Sequence, residues 1–256
     1  MPHVLAIALP PLPEVTPGDD LSELIADSWR GALQDQPELE PSDGDVLVVT
    51  QKIVSKAEGR IVDLRTVKPR RDAVTFAKRW ARDARQVEVV LRESAQVLRM
   101  ERGIIISRTE HGFVCANAGV DASNTGARET VTLLPHDPDA SARQLRERLT
   151  AQLGVELAVV ISDSFGRPWR FGIVDVALGV AGFKPLDDQR GRPDADGRTM
   201  QSTIVAVADE ICSAAELAAG KTSRQPVVLV RGVGLPQGDG SVREDVIMPT
   251  EMDLFR

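Results

Sequence analysis

The chain is short of the residues that most directly announce chemistry. It has two cysteines, Cys115 and Cys212, far apart and without a CxxC pair. That usage argues against a disulfide framework, a zinc–thiolate site or cysteine redox function, and leaves buried free thiols as the expectation. Three histidines, His3, His111 and His136, lack the HxxxH spacing of metal ligands, and surface or capping roles suit them. No apolar run approaches the roughly 20 residues of a membrane span, so no membrane partner is expected. The opening stretch MPHVLAIALPPLPEV has no basic n-region and is broken by prolines, which argues against a signal peptide and for the cytoplasm. A net charge of −7 lacks the basic excess of a general nucleic-acid binder, and no nucleic-acid partner is expected. An acidic total still permits an anionic small substrate, because local arginines or a bound metal reverse the potential inside a cleft.

Standard nucleotide loops are missing as well. Residues 215–222, AELAAGKT, have Ala215 where the GxxxxGK[ST] loop requires glycine, and they end a predicted helix instead of starting one. Gly220 reads better as a helix C-cap. Gly232 and Gly234 lack the third glycine and the following helix of a dinucleotide fingerprint. A nucleotide, if used, must be held in another way.

What is present is a globular chain of 256 residues, 42% hydrophobic and 27% charged, long enough for one large or two small domains. Buried strands are predicted at 4–9, 45–50, 157–162 and 226–233, with further strands at 104–107 and 112–116 inside a strand-rich region spanning 87–99 and 103–121. Helices are predicted at 21–33, at 68–86 as one basic amphipathic helix, at 138–153, and in an Ala-rich stretch ending near Gly220. Residues 179–201, rich in Gly, Asp and Arg, suggest either a mobile substrate-covering loop or a dimer-contacting arm.

The most informative stretch is 157–175, LAVVISDSFGRPWRFGIVD. A buried strand ending at Asp163 and Ser164 would present a carboxylate and a hydroxyl at its C-terminal tip, where open sheets keep their ligands. Arg167 and Arg170 follow at once. Carboxylates suit Mg²⁺ or Mn²⁺ and arginines suit phosphate, so metal-assisted chemistry on an anionic substrate is one reading and a plain strand cap with solvated arginines is the other. A second acidic loop, Asn117 to Gly126, could share a metal with Asp163 through Asp121, or be an ordinary turn-rich loop. Lys52 and Lys56, just past the 45–50 strand, could meet phosphate or simply be solvated.

Five ordered blocks bring these pieces together: Leu12-Pro13-Glu14-Val15 with Pro17-Gly18-Asp19-Asp20, Gly44-Asp45 with the run Lys52 to Gly59, Ala118 to Asn124, Ser162 to Arg170, and Ala206 to Glu210. In this order and along nearly the whole chain, the set closely resembles the coenzyme F420-0:L-glutamate ligase (F420 γ-glutamyl ligase) family. The resemblance implies an α+β fold of mixed β-sheets flanked by helices, in a single domain over 1–256 that divides into two lobes. Some members carry an added C-terminal flavin-reductase-like domain, which is not expected in this chain. It also implies a homodimer. Its small-molecule substrates would be F420-0, L-glutamate and GTP, with Mg²⁺ or Mn²⁺ as cofactor and K⁺ as a further ion.

Carried over by residue, the resemblance implies GTP contacts at Leu12, Pro13, Glu14, Val15, Gln51, Lys56 and Asn124. Asp121 and Asp163 would hold one metal, and Ser164 would help to hold a second. Where relatives have a Glu or Gln ligand for that second metal, this sequence aligns Ile204, with Gln201 nearby. The implied chemistry is phosphorylation of a carboxylate by GTP, then attack of the glutamate amine on the acyl phosphate. Lys56, Arg167 and Arg170 are the candidates to stabilise charge on the transferred phosphoryl group. No covalent nucleophile is required, in keeping with the lack of a Ser/His/Asp or Cys/His set. The same aspartates would also serve a metal-dependent phosphohydrolase or a non-catalytic nucleotide-binding protein.

Overall fold

Runs of β-branched residues alternate with amphipathic stretches, and in the computed structural model, which describes residues 3–122 and 129–253, they form an α+β fold. The first half contains β1 (Leu5–Ala8), α1 (Leu21–Ala32), β2 (Val46–Thr50), α2 (Gln51–Ala57), β3 (Ile61–Asp63), α3 (Arg71–Trp80) and α4 (Ala84–Arg92). It continues with β4 (Ser94–Glu101), β5 (Ile104–Thr109), β6 (Val114–Ala116) and β7 (Thr130–Thr132). The second half contains α5 (Pro138–Leu153), β8 (Ala158–Arg167), β9 (Arg170–Ala181), β10 (Asp187–Asp188), β11 (Ile204–Val205), α6 (Val207–Ala219) and β12 (Val227–Arg231).

The principal sheet has the order β1-β12-β2-β8-β9. β12 is antiparallel to both β1 and β2, and β2 is parallel to β8. Therefore β1, β2 and β8 all point the same way, and the segments that follow β1 and β2 emerge at one edge, beside the distal half of β8. Val46, Leu47, Val49 and Val159 to Ile161 are fully buried, which is why these strands read as continuous apolar runs instead of alternating ones. Each such side chain contributes roughly 1.5–3 kcal/mol relative to exposure.

α5 packs on β8, β9 and α1, and α6 lies over β9, β12 and β1. The approach of α5 needs Gly179 in β9, because a Cβ there would fall 2.2 Å from the Pro138 carbonyl carbon. Buried Asp139 then joins α5 to its surroundings by accepting from the backbone N–H groups of Val180 and Val242 and from the Ser241 hydroxyl.

A second cluster of buried apolar side chains gathers Leu64, Phe76, Val87, Val90, Ile105, Val131 and Leu133 from between α2 and α5 in the chain. The single helix expected over 68–86 is two helices, α3 and α4, separated where Ala81 adopts φ 52° and Arg82 donates to the Ala77 carbonyl. Residues 87–92, expected in a strand, belong to α4. Asp83 caps that helix by accepting from the Arg85 N–H, and Val87 and Val90 share one buried face at helical spacing. β-Propensity yielded to the cap and the packing.

The basic segment 51–57 is a helix, not a strand end, and starts directly from β2. The strand expected at 157–162 runs on to Arg167 and turns back as β9, with Ser164 opposite Asp175 and Arg167 opposite Arg170. Of the stretch 179–201, expected as a substrate-covering loop or a dimer-contacting arm, the residues to Ala181 complete β9 and those from Asp187 are ribbon-like. β10 pairs with β11, and Gly191, Met200, Asp194 and Arg198 carry the backbone hydrogen bonds onward between the two arms.

Candidate active site

The shared edge of β1, β2 and β8 gathers most of the sequence-predicted residues. Leu12 to Val15 follow β1. Val15 is buried and Leu12 packs against the core, which anchors the segment, while Pro13 and Glu14 stay exposed. Glu14 reaches Lys56 on α2 at 2.5 Å, and the Gly18 N–H donates to the Ala57 carbonyl. The Lys56 side chain is almost buried, so Glu14 balances a charge that would otherwise be costly there. Gln51, at the first turn of α2, is buried and accepts from the Ser55 hydroxyl at 2.8 Å. Its carbonyl oxygen is therefore already engaged.

Asp121 arrives from the other side. Its backbone exchanges two hydrogen bonds with Thr132, and its carboxylate accepts from Lys52 at 2.6 Å. Asn124 lies outside the described residues. Asp163 sits on β8 just beyond the parallel pairing of Thr50 with Ser162. Burial pushes its carboxyl up to about 7; the Ser164 N–H opposes that rise, Asp175 and Asp121 add to it, and Lys52 opposes it. Buried Asp163 thus faces two further carboxylates, Asp175 and Asp121, with Lys52 opposing them, which is the electrostatic setting a divalent cation would relieve.

The donor set fits a hard, oxygen-seeking ion. Among the described residues no group of three or more His, Cys, Asp or Glu side chains could hold a metal. Two carboxylates nonetheless suffice for Mg²⁺, which keeps several waters and takes one or two carboxylates together with substrate phosphates. Neither thiol competes. Cys115 and Cys212 are buried, and burial, helped by Asp163, pushes the Cys115 thiol up to about 12.

Ser164 is differently placed. Its hydroxyl donates to Asp175 Oδ1 at 2.6 Å, and Asp175 Oδ2 accepts from Ser162. The Lys221 ammonium contacts Ser164 as well. Ile204, expected near a second metal, instead pairs with Asp188 in β11, and Gln201 is exposed. The residues around Ser164 therefore do not form an open set for a second ion.

Arg167 and Arg170 lie at the β8–β9 turn. Four residues of strand separate Arg167 from Asp163, about 13 Å at the usual rise. The Arg167 guanidinium donates to the Phe171 carbonyl. Trp169, at φ 55°, is 82% exposed, and Phe171 and Ile173 also face outwards. The turn thus carries the arginines away from Asp163.

Sequence reasoning undervalued Lys52 and Lys221. Lys52 was visible as one of two lysines after a buried strand. Lys221 was visible only as part of a failed phosphate-loop pattern. Gly220 does cap α6, with its N–H on the Glu216 carbonyl, and the lysine follows directly.

Two carboxylates, Lys52 and Lys56 lie at one edge of a mixed sheet, a set of charges that could pair with a cation and with phosphate in a ligase. The sequence model of the F420-0:gamma-glutamyl ligase family matches residues 11–232, and the chain belongs to that family. It is 43% identical over 248 residues to the coenzyme F420:L-glutamate ligase of Methanothermobacter thermautotrophicus, covering 96% of each chain. The protein of the same name from Methanopyrus kandleri is 45% identical over 247 residues, 95% of this chain and 94% of its own. That of Methanocaldococcus jannaschii is 40% identical over 215 residues, 84% and 85% respectively. Among the described residues no helix is long and apolar enough to cross a membrane.

Proposed function

We propose that this chain is a GTP-dependent ligase that joins L-glutamate to coenzyme F420-0, adding γ-linked glutamate through an acyl phosphate. The observation that carries the reading is the meeting of Asp121, Asp163 and Lys52 at the strand edge of a chain matched by the ligase family over residues 11–232. The acceptor carboxylate attacks the γ-phosphorus of GTP, its bond to the β–γ bridging oxygen breaks, and GDP leaves. The glutamate amine then attacks the acyl carbon, inorganic phosphate leaves, and the amine gives up a proton to solvent. Phosphoryl transfer of this kind depends on positioning and charge neutralisation more than on covalent help from the protein.

Asp121 and Asp163 would hold Mg²⁺ or Mn²⁺, which supplies positive charge to the nucleotide phosphates. Lys52, on Asp121, and Lys56, on Glu14, would supply ammonium groups to the transferred phosphoryl oxygens. Leu12 to Val15 offer backbone and side-chain contacts to the nucleotide at the same edge, and Gln51 supports α2 from below. K⁺ as a monovalent ion and a cytoplasmic setting belong to the same proposal. So does a homodimer, favoured by the exposed Trp169, Phe171 and Ile173 at the hairpin tip. The arginines at that tip serve the reaction only if the tip meets another active site.

The test is mass spectrometry of products from F420-0, GTP and L-glutamate, with each component omitted in turn. GDP and phosphate should appear only when both acceptor and amine are present. GTP turnover indifferent to either omission would overturn the reading and leave a phosphohydrolase.

A further inference from the structure

The resemblance implies a second metal at Ser164, and the residues around Ser164 speak against it. We propose that the Lys221 ammonium is a built-in cation standing where that ion would bind, so that the chain holds one divalent ion and not two. The count of one ion rests on the reading that Asp121 and Asp163 hold a metal; the role of Lys221 does not.

Lys221 Nζ meets three oxygens: the Ser164 hydroxyl, Asp175 Oδ1 at 3.3 Å, and Glu216 Oε1. An ammonium has three N–H donors, so this set can satisfy all of them. Ser164 donates its own proton to Asp175 at 2.6 Å, which leaves its remaining lone-pair capacity facing the lysine. A dication seated on that hydroxyl would have to displace the ammonium or lie beside it and be repelled.

The arrangement is built into the fold. Glu216 accepts from the Asp175 N–H, and the Ser213 hydroxyl donates to the Asp175 carbonyl, so one face of α6 grips β9 at this residue. Gly220 then ends α6 with a positive φ of 67° and lets the next residue return toward Ser164. Asp175 is buried, with its side chain only 10% exposed, and Ser162 occupies its second oxygen. The two carboxylates and the hydroxyl therefore already have a cation, tethered to the chain on a half-exposed side chain.

Manganese counting tests this directly. Metal-free full-length protein is titrated with Mn²⁺ alone and read by equilibrium dialysis and by electron paramagnetic resonance, which detects spin-coupled manganese pairs. The wild-type protein should bind one Mn²⁺ per chain with no coupled signal. Lys221→Glu, which replaces the ammonium with a carboxylate, should bind one more and show coupling, and Lys221→Gln should bind the added ion more weakly than Lys221→Glu. Two Mn²⁺ with a coupled signal in the wild type would overturn the proposal. So would a count unchanged from wild type in both variants when circular dichroism shows both folded. A wild-type count of zero with one ion in Lys221→Glu would sustain the role of Lys221 and overturn the Asp121–Asp163 assignment instead.

Discussion

The two ends of the β8–β9 hairpin are built from one short run of sequence and have opposite physical characters. At the base, Ser162, Asp163, Ser164 and Asp175 place charge where water is scarce, and each group is answered by a neighbour. At the tip, Arg167 to Ile173 place indole and phenyl rings in open solvent with the arginines beside them. Adjacency in sequence is thus a poor guide to shared function in a strand. Four residues move a side chain about 13 Å, out of one chemical setting and into another.

The largest effect is expected at the base. Asp163→Asn removes one charge from the carboxylate pair and should lower turnover by on the order of 10²–10³-fold, with circular dichroism unchanged. Turnover within a few-fold of wild type would remove Asp163 from the site. A smaller effect is expected at the tip. Phe171→Ser with Ile173→Ser should leave the protomer's unfolding free energy within about 0.5 kcal/mol of wild type, since both side chains are exposed. The same pair should convert a dimer to a monomer by light scattering, and an unchanged mass would show that the tip makes no subunit contact.

A separate effect concerns pH. In metal-free protein the Asp163 carboxyl is raised from 3.8 to about 7 by burial first, so folding favours its protonated form. Its contribution to stability is fully present below pH 3.8 and is lost as pH rises through 7. Urea unfolding of the metal-free protein should therefore show this contribution weakening by roughly 2–3 kcal/mol from pH 5 to pH 8. Asp163→Asn should flatten that part of the profile; an identical slope in the variant would show that another group sets it.

Much of this was legible in advance. The apolar runs at 45–50, 157–161 and 226–230 are buried strands because continuous Val, Ile and Leu leave no polar face to expose. The aspartates at 121 and 163 stood out because a carboxylate after an apolar run needs a reason to be there. The helix α4 was hidden, since Val87, Val89 and Val90 favour strand locally and only the Asp83 cap and the second apolar cluster make them helical. The length of β8 was hidden too. Gly166 and Pro168 suggest a loop, and it is pairing with β9 that keeps the chain extended through Gly166.

The family and the α+β composition were fixed by residue types and their order alone, and the same order singled out Asp121 and Asp163 as candidates. Only the tertiary structure decided which charges meet. Lys52 reaches Asp121 from 69 positions away, and Lys221 reaches Ser164 from 57. The physical reason is that strand direction, set by pairing partners distant in the chain, chooses which loops share an edge. Electrostatic energy then depends on distances that no local pattern encodes.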